Sequence, residues 1–225
     1  MRNTAFVLIF IFAACLGSSN LYGQKNRPYD CGPVHKKKTI KTLAPVVEFI
    51  GLKPGDTFAD FGASSGYYTA MMATYTDGVT YYVQDIDSVC LNVEELDKVL
   101  NYYSKIAGKR LEDTNQFYPI NGTETQTNLP EEIDKIYGNK VFHALSQPDS
   151  IVNDLHSKLS PTGQLFIRDE FTFDGSTKKC PDENCGEYIP YEQFIEIMER
   201  NQFVLLEKSE NIGSLPIYKF VKASK

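Results

Sequence analysis

The chain contains no tryptophan, only three histidines and no excess of basic residues: 23 Lys and Arg stand against 29 Asp and Glu, for a formal charge of −6. Non-specific binding to nucleic acid rests on clustered Lys and Arg that release counterions from phosphates. A chain of this charge lacks that footprint, so nucleic acid is excluded as a general partner. The one basic run, Lys36-Lys37-Lys38, reads as a solvated face ahead of the first helix. No metal site is expected, because Cys180 and Cys185 would make half a zinc site with no second pair to complete four ligands. Internal repeats and low-complexity tracts are also missing. What remains, 42% hydrophobic and 23% charged over 225 residues, is the composition of a globular protein the size of one domain.

The apolar stretch at residues 5–17 falls short of the ~20 residues that span a bilayer. Arg2 precedes it and a polar exit with small residues follows at 18–24, which is the layout of a secretory signal. Residues 1–23 are therefore expected to be a signal peptide, cleaved near Gly23-Gln24, and the protein to be exported to the periplasm or envelope. Phe12-Ala13-Ala14-Cys15 also resembles a bacterial lipobox, with Phe where Leu is usual. Lipid on Cys15 would tie the protein to a membrane. Beyond this leader, Cys31, Cys90, Cys180 and Cys185 allow three full pairings in an oxidising compartment. Spacing favours Cys180 with Cys185 across a polar, turn-rich segment, a closure that contributes about 2 kcal/mol on the chain-entropy model. Cys90, at an apparent helix start, reads as a small buried apolar residue.

Hydrophobic spacing orders the rest. Ile40, Leu43, Val46, Val47 and Ile50 recur at helical intervals before Gly51, and residues 57–61 form a short apolar strand. A helix over 67–75, a strand over 79–83, a helix over 93–106 and a strand over 117–120 follow. The second half continues with a strand at 133–137, a helix at 150–159, a turn at 160–163 and a strand at 164–168. A helix over 191–200 then precedes strands at 203–206 and 217–221. Alternation of this kind predicts a Rossmann-like, doubly wound α/β sandwich, with a mostly parallel seven-stranded sheet and a C-terminal antiparallel hairpin. Any ligand should lie at the carboxyl ends of the strands.

Asp60-Phe61-Gly62-Ala63-Ser64-Ser65-Gly66 joins the first strand to a helix, where glycines permit close backbone approach and the helix start offers N–H donors. Asp85 closes the next strand about 20 residues later, where a carboxylate can accept from both hydroxyls of a ribose. With these residues in place, residues 39–225 resemble the class I S-adenosylmethionine-dependent methyltransferases. The matching blocks are 52–69, Val83-Gln84-Asp85-Ile86-Asp87, Val141-Phe142-His143-Ala144-Leu145 with Pro148-Asp149, and the segment from Leu159 to Leu165. Ser64 stands where the family usually has a middle glycine, Thr162 where a second turn glycine is common, and Thr123 where an acidic residue is usual.

The resemblance implies S-adenosyl-L-methionine as cofactor and a small-molecule methyl acceptor in preference to a protein. By position, Asp60, Gly62, Ala63, Ser64 and Gly66 would meet the methionine part, Asp85 and Ile86 the ribose side, and Thr123 and Glu124 the adenine. Asn139 and His143 would face the methyl group and acceptor. His143 or Asp169 is the candidate base for an acceptor that must lose a proton. Two other readings stay open. One is a catalytically degenerate binding protein of the bacterial envelope that keeps this fold. The other is a nicotinamide-dependent oxidoreductase, disfavoured because the loop lacks Gly-x-Gly-x-x-Gly spacing.

Overall fold

The computed structural model describes residues 27–181, 186–209, 212–213 and 215–224. The expected leader with Cys15 lies outside them, as does Cys185. Strand β1 (Thr57–Phe61) is covered on both faces, as its short apolar run requires of a central parallel strand. It lies between β2 (Thr80–Asp85) and β4 (Ile133–Asn139), and β3 (Gln116–Asn121) forms the outer neighbour of β2. Beyond β4 come β5 (Leu159–Arg168) and then an antiparallel pair, β8 (Phe203–Lys208) and β9 (Tyr218–Lys222). The order is β3-β2-β1-β4-β5-β9-β8, so the expected mostly parallel seven-stranded sheet with a C-terminal antiparallel hairpin forms. Strand order reverses between β1 and β4, which opens a crevice at their carboxyl ends.

Alternate strand residues feed two cores. Phe58, Tyr137 and Phe166 point toward α1 (Lys37–Ile40), α2 (Ala44–Ile50), α3 (Tyr67–Ala73) and α4 (Val93–Ala107). Ala59, Ile136, Leu165 and Ile167 point toward α5 (Pro148–Lys158) and α6 (Tyr191–Arg200). Helix α4 shows the local logic: Asn92 caps it by accepting from the Glu95 N–H at 3.0 Å, and Gly108 ends it in the left-handed region. Between these caps Leu96, Val99, Leu100 and Tyr103 bury one stripe.

Three details depart from the sequence reading. The expected turn at 160–163 lies inside β5, where pairing with β4 advances from Ile133–Leu159 to Lys135–Gln164, so β5 carries extra residues that bow out of register. A small hairpin, β6 (Lys178–Lys179) with β7 (Glu187–Tyr188), was too short to leave a periodic signal. Cys90 is not a lone buried apolar residue: it is bonded to Cys31 across 59 positions. Cys180 is also disulfide-bonded, while the expected partner Cys185 lies outside the described residues. The Cys31 bridge anchors a packed N-terminal segment. Tyr29 is 1% exposed, its hydroxyl 2.9 Å from that of Tyr103, and Ser65 Oγ donates to the Cys31 carbonyl at 2.8 Å.

Candidate active site at the strand ends

The β1 loop holds its shape through its own amides. Gly62 N–H donates to Gln84 Oε1 at 3.4 Å, Ala63 N–H to the Gln84 carbonyl at 2.8 Å, and Ser64 N–H to Asp85 Oδ2 at 2.6 Å. These three amides are thus committed within the protein, and the donors expected of the helix start belong to the following residues, where α3 begins after Gly66. Its glycines are fixed by packing. A Cβ on Gly62 (φ +73) would run into Val141 Cγ2, and one on Gly66 (φ +78) would approach Leu96 Cδ1 to 2.8 Å. Ser64 takes φ 52, the left-handed region where the family's glycine would sit without strain.

Asp60 is buried against α3, accepting from Thr69 Oγ1 at 2.5 Å. Burial, reinforced by the nearby Asp85 carboxylate and opposed by the Thr69 bond, pushes its carboxyl up to about 7. Asp85 spends one lone pair of each oxygen on backbone, since Oδ1 accepts from Asp87 N–H at 2.9 Å. A carboxylate has about four acceptor sites, so each oxygen keeps capacity for a hydroxyl.

A cleft of about 250 Å³ opens between these strand ends. Of the residues expected to hold cofactor, it gathers Gly62, Asp85, Ile86, Thr123 and Glu124 from three separate loops. Ile86 presents a 59% exposed side chain at its edge, a platform for a flat base, while Phe61, Val141, Leu145 and Ile151 supply apolar wall. The volume lies just under the roughly 300 Å³ at which drug-sized sites begin, which suits a nucleoside more than a longer molecule. Glu124 Oε2 accepts from Ser146 Oγ at 3.1 Å. The Thr123 hydroxyl closes its own turn, accepting from Gln126 N–H at 3.1 Å. Asp60, Ala63, Ser64, Gly66 and Asn139 do not line the cleft. Gln84, Lys140 and Val141 do; Gln84 and Val141 lie within the blocks that carry the family resemblance but had no expected role, and Lys140 had no signal.

His143 and Asp169, far apart in sequence, meet at the ends of β4 and β5. His143 Nδ1 lies 2.8 Å from Asp169 Oδ1, and Asp169 also accepts from the backbone N–H of His143 (3.1 Å) and of Glu170 (2.8 Å). In the neutral tautomer that donates Nδ1–H to this carboxylate, Nε2 carries the ring's lone pair. The imidazole packs 5.2 Å from the Tyr188 ring. Asp169 also borders a second hollow of about 410 Å³, with Phe171, Phe173, Leu215 and Tyr218; Lys140 borders this hollow and the nucleoside-sized cleft alike.

No protein-family model matches the chain, and no curated protein matches it in sequence. Solved structures match in fold. A SAM-dependent methyltransferase from Aquifex aeolicus superposes with TM-score 0.56 at 20% identity, covering 84% of this chain and 100% of its own. The mitomycin 7-O-methyltransferase MmcR gives 0.60 at 16% identity, covering 83% of this chain and 54% of its own. The [4+2]-cyclase SpnF gives 0.58 at 11% identity over 80% and 82% of the two chains. The chain thus has the class I methyltransferase fold. At these identities the likeness is one of fold, and a cyclase among the matches means that fold alone does not set the reaction.

Proposed function

We propose that the protein is an exported S-adenosyl-L-methionine-dependent methyltransferase acting on a small-molecule acceptor. The observation that carries this is the nucleoside-sized cleft at the β1–β4 switch point, which brings Asp85, Ile86, Thr123 and Glu124 together. When bound, the cofactor supplies a methyl group on a sulfonium, a good leaving group, so the protein's task is mainly alignment. Asp85 would hold ribose hydroxyls and Ile86 the face of the adenine. Asp85 and Glu124 give this end of the sheet the negative charge that suits a sulfonium. His143, oriented by Asp169, would take the acceptor's proton at Nε2 as its lone pair attacks the methyl carbon. Residues 1–23 would act as signal peptide, with Cys15 as an alternative lipid anchor.

A second reading, a binding protein that has lost turnover, draws on a specific observation. Backbone already occupies part of the Asp85 carboxylate, and the Thr123 hydroxyl serves its own turn. Calorimetric titration with S-adenosylmethionine and S-adenosylhomocysteine tests both. Asp85→Ala should weaken binding about 10- to 150-fold, the loss of charge-assisted hydrogen bonds of roughly 1.5–3 kcal/mol. Ile86→Ala, which disturbs no hydrogen bond, should weaken it about tenfold, or about 1.4 kcal/mol. Tight binding indifferent to both substitutions would place the site elsewhere. Absence of binding by folded wild type would overturn the cofactor assignment for both readings, and binding without methyl transfer to any acceptor in a small-molecule extract would favour the second.

A further inference from the structure

Arg168 ends β5 and stands opposite Asn139 of β4 in the sheet register. It lies on the face shared with α3, where Tyr68 and Tyr137 stack with ring centroids 5.9 Å apart. Its Nη1 donates to the Tyr68 hydroxyl at 3.2 Å. Nη2 lies under Gly213, where a Cβ would approach it to 2.7 Å. The Nε–H is buried and meets no acceptor at hydrogen-bond geometry among the described residues, while the Tyr137 hydroxyl also bears on the guanidinium. Arg110 and Arg200 each pair with carboxylates, yet among the described residues no carboxylate comes within 4 Å of Arg168. Tyr137, the other buried phenol beside it, donates to Asn139 Oδ1 at 3.3 Å.

A guanidinium presents donors in a rigid planar fork that matches carboxylate and phosphate, and an orphaned buried donor of a charged group calls for an oxyanion. We propose that Arg168, with the Tyr68 hydroxyl beside it, forms an oxyanion-binding subsite at the end of β5. Tyr68 sits in the first turn of α3, directly after the β1 loop, and Arg168 directly precedes Asp169. The subsite therefore lies between the loop and the His143–Asp169 pair. Its anion is either the amino-acid carboxylate of the cofactor or an acidic group on the acceptor. That choice rests on the methyltransferase reading; the subsite itself does not.

The test uses the mature chain with ¹⁵N-labelled arginine, following the Arg168 Nε–H resonance, assigned by through-bond correlation, during titration with acetate and with inorganic phosphate. A saturable shift is expected with one of them, or with S-adenosylhomocysteine. Two nucleosides then separate the sources: S-adenosylhomocysteine carries the carboxylate tail, and 5′-methylthioadenosine lacks it. If the cofactor brings the anion, wild type should prefer the former at least tenfold and Arg168→Gln should reduce that preference below threefold. If the acceptor brings it, the preference should survive Arg168→Gln, and acetate or phosphate should still move the resonance in protein saturated with S-adenosylhomocysteine. A resonance that no anion moves, in protein that binds S-adenosylhomocysteine, would overturn the proposal. A resonance moved by anions in protein that binds neither nucleoside would uphold the subsite and remove the methyltransferase reading instead.

Discussion

The bridge between Cys31 and Cys90 makes a strong prediction, because it closes a loop of 59 positions and fastens the N-terminal segment beside the β1 loop. On the chain-entropy model a closure of that length removes about 14 cal/mol/K from the unfolded ensemble, or about 4 kcal/mol at 25 °C. The segment it fastens is well packed. Gly32 lies so close to Tyr67 that a Cβ there would fall 2.7 Å from the ring, Asp30 N–H donates to Glu95 Oε2 at 3.1 Å, and Tyr29 is buried against Tyr103. With both cysteines replaced by serine, this segment must hold itself by those contacts alone. For a domain of this size, about 4 kcal/mol corresponds to roughly 10 °C in Tm. The assay is thermal and urea unfolding of the mature wild type and the double Ser variant, with hydrogen exchange at the Tyr29 and Ser65 amides. The variant should melt roughly 10 °C lower and exchange faster at those amides. A Tm within 2 °C of wild type, with unchanged exchange, would refute the argument that the bridge constrains this segment.

Two further substitutions probe the β1 loop. Asp60 has a folded pKa of about 7, above the ordinary 3.8, so the native state keeps a proton that the unfolded chain releases. Its contribution is fully present below pH 4 and is lost as pH rises through 7. Asp60→Asn keeps an acceptor for Thr69 and should flatten the decline in urea-measured stability between pH 4 and 8, gaining up to about 4 kcal/mol at pH 8; a decline as steep as in wild type would refute this. Gly62→Ala should cost about 1–3 kcal/mol from its clash with Val141, added to the strain at positive φ. Gly108→Ala, at φ +71 with nothing within 4 Å, should cost the strain alone. Adding Val141→Ala should relieve the clash only in the Gly62 variant, and failure of that rescue would show that the loop's glycine is needed for another reason.

Much of the fold was legible because its strongest signals are local. Residues 57–61 form β1 as expected, and the stripe of Phe194, Ile197 and Met198 places α6 over 191–200. What escaped was set by distant partners. Cys90 sits in a polar turn after β2, and only the fold shows that residue 31 returns to meet it. Residues 160–163 carry turn chemistry, and they do bow out of register between the Ile133–Leu159 and Lys135–Gln164 pairs, so the strand resumes on either side of them. At the site, glycine spacing marked a loop that does join β1 to α3, and the structure adds a packing reason for its glycines. Gly62 and Gly66 are required by Val141 and Leu96, side chains that no local pattern could place against them. The His143–Asp169 contact follows from adjacent β4 and β5, a pairing that the order of elements implied but could not fix in register.

The compartment proposed for this protein bears on its chemistry through that same bridge. Disulfides between distant parts of a chain persist where thiols are not kept reduced, as in the periplasm, and are rare in the cytosol. A Cys31–Cys90 bond therefore supports the proposal that residues 1–23 direct export, on grounds independent of the leader's composition. It also links compartment to site: Ser65, in the β1 loop, donates to the carbonyl of Cys31 itself. In a reducing compartment the segment would lose its covalent tie, and one support of the loop beside the nucleoside-sized cleft would weaken with it. The cleft is thus expected to be best formed after export. Titration of S-adenosylhomocysteine into oxidised and reduced protein measures this directly, with weaker binding expected on reduction; equal affinity in both would show that the loop stands without the bridge.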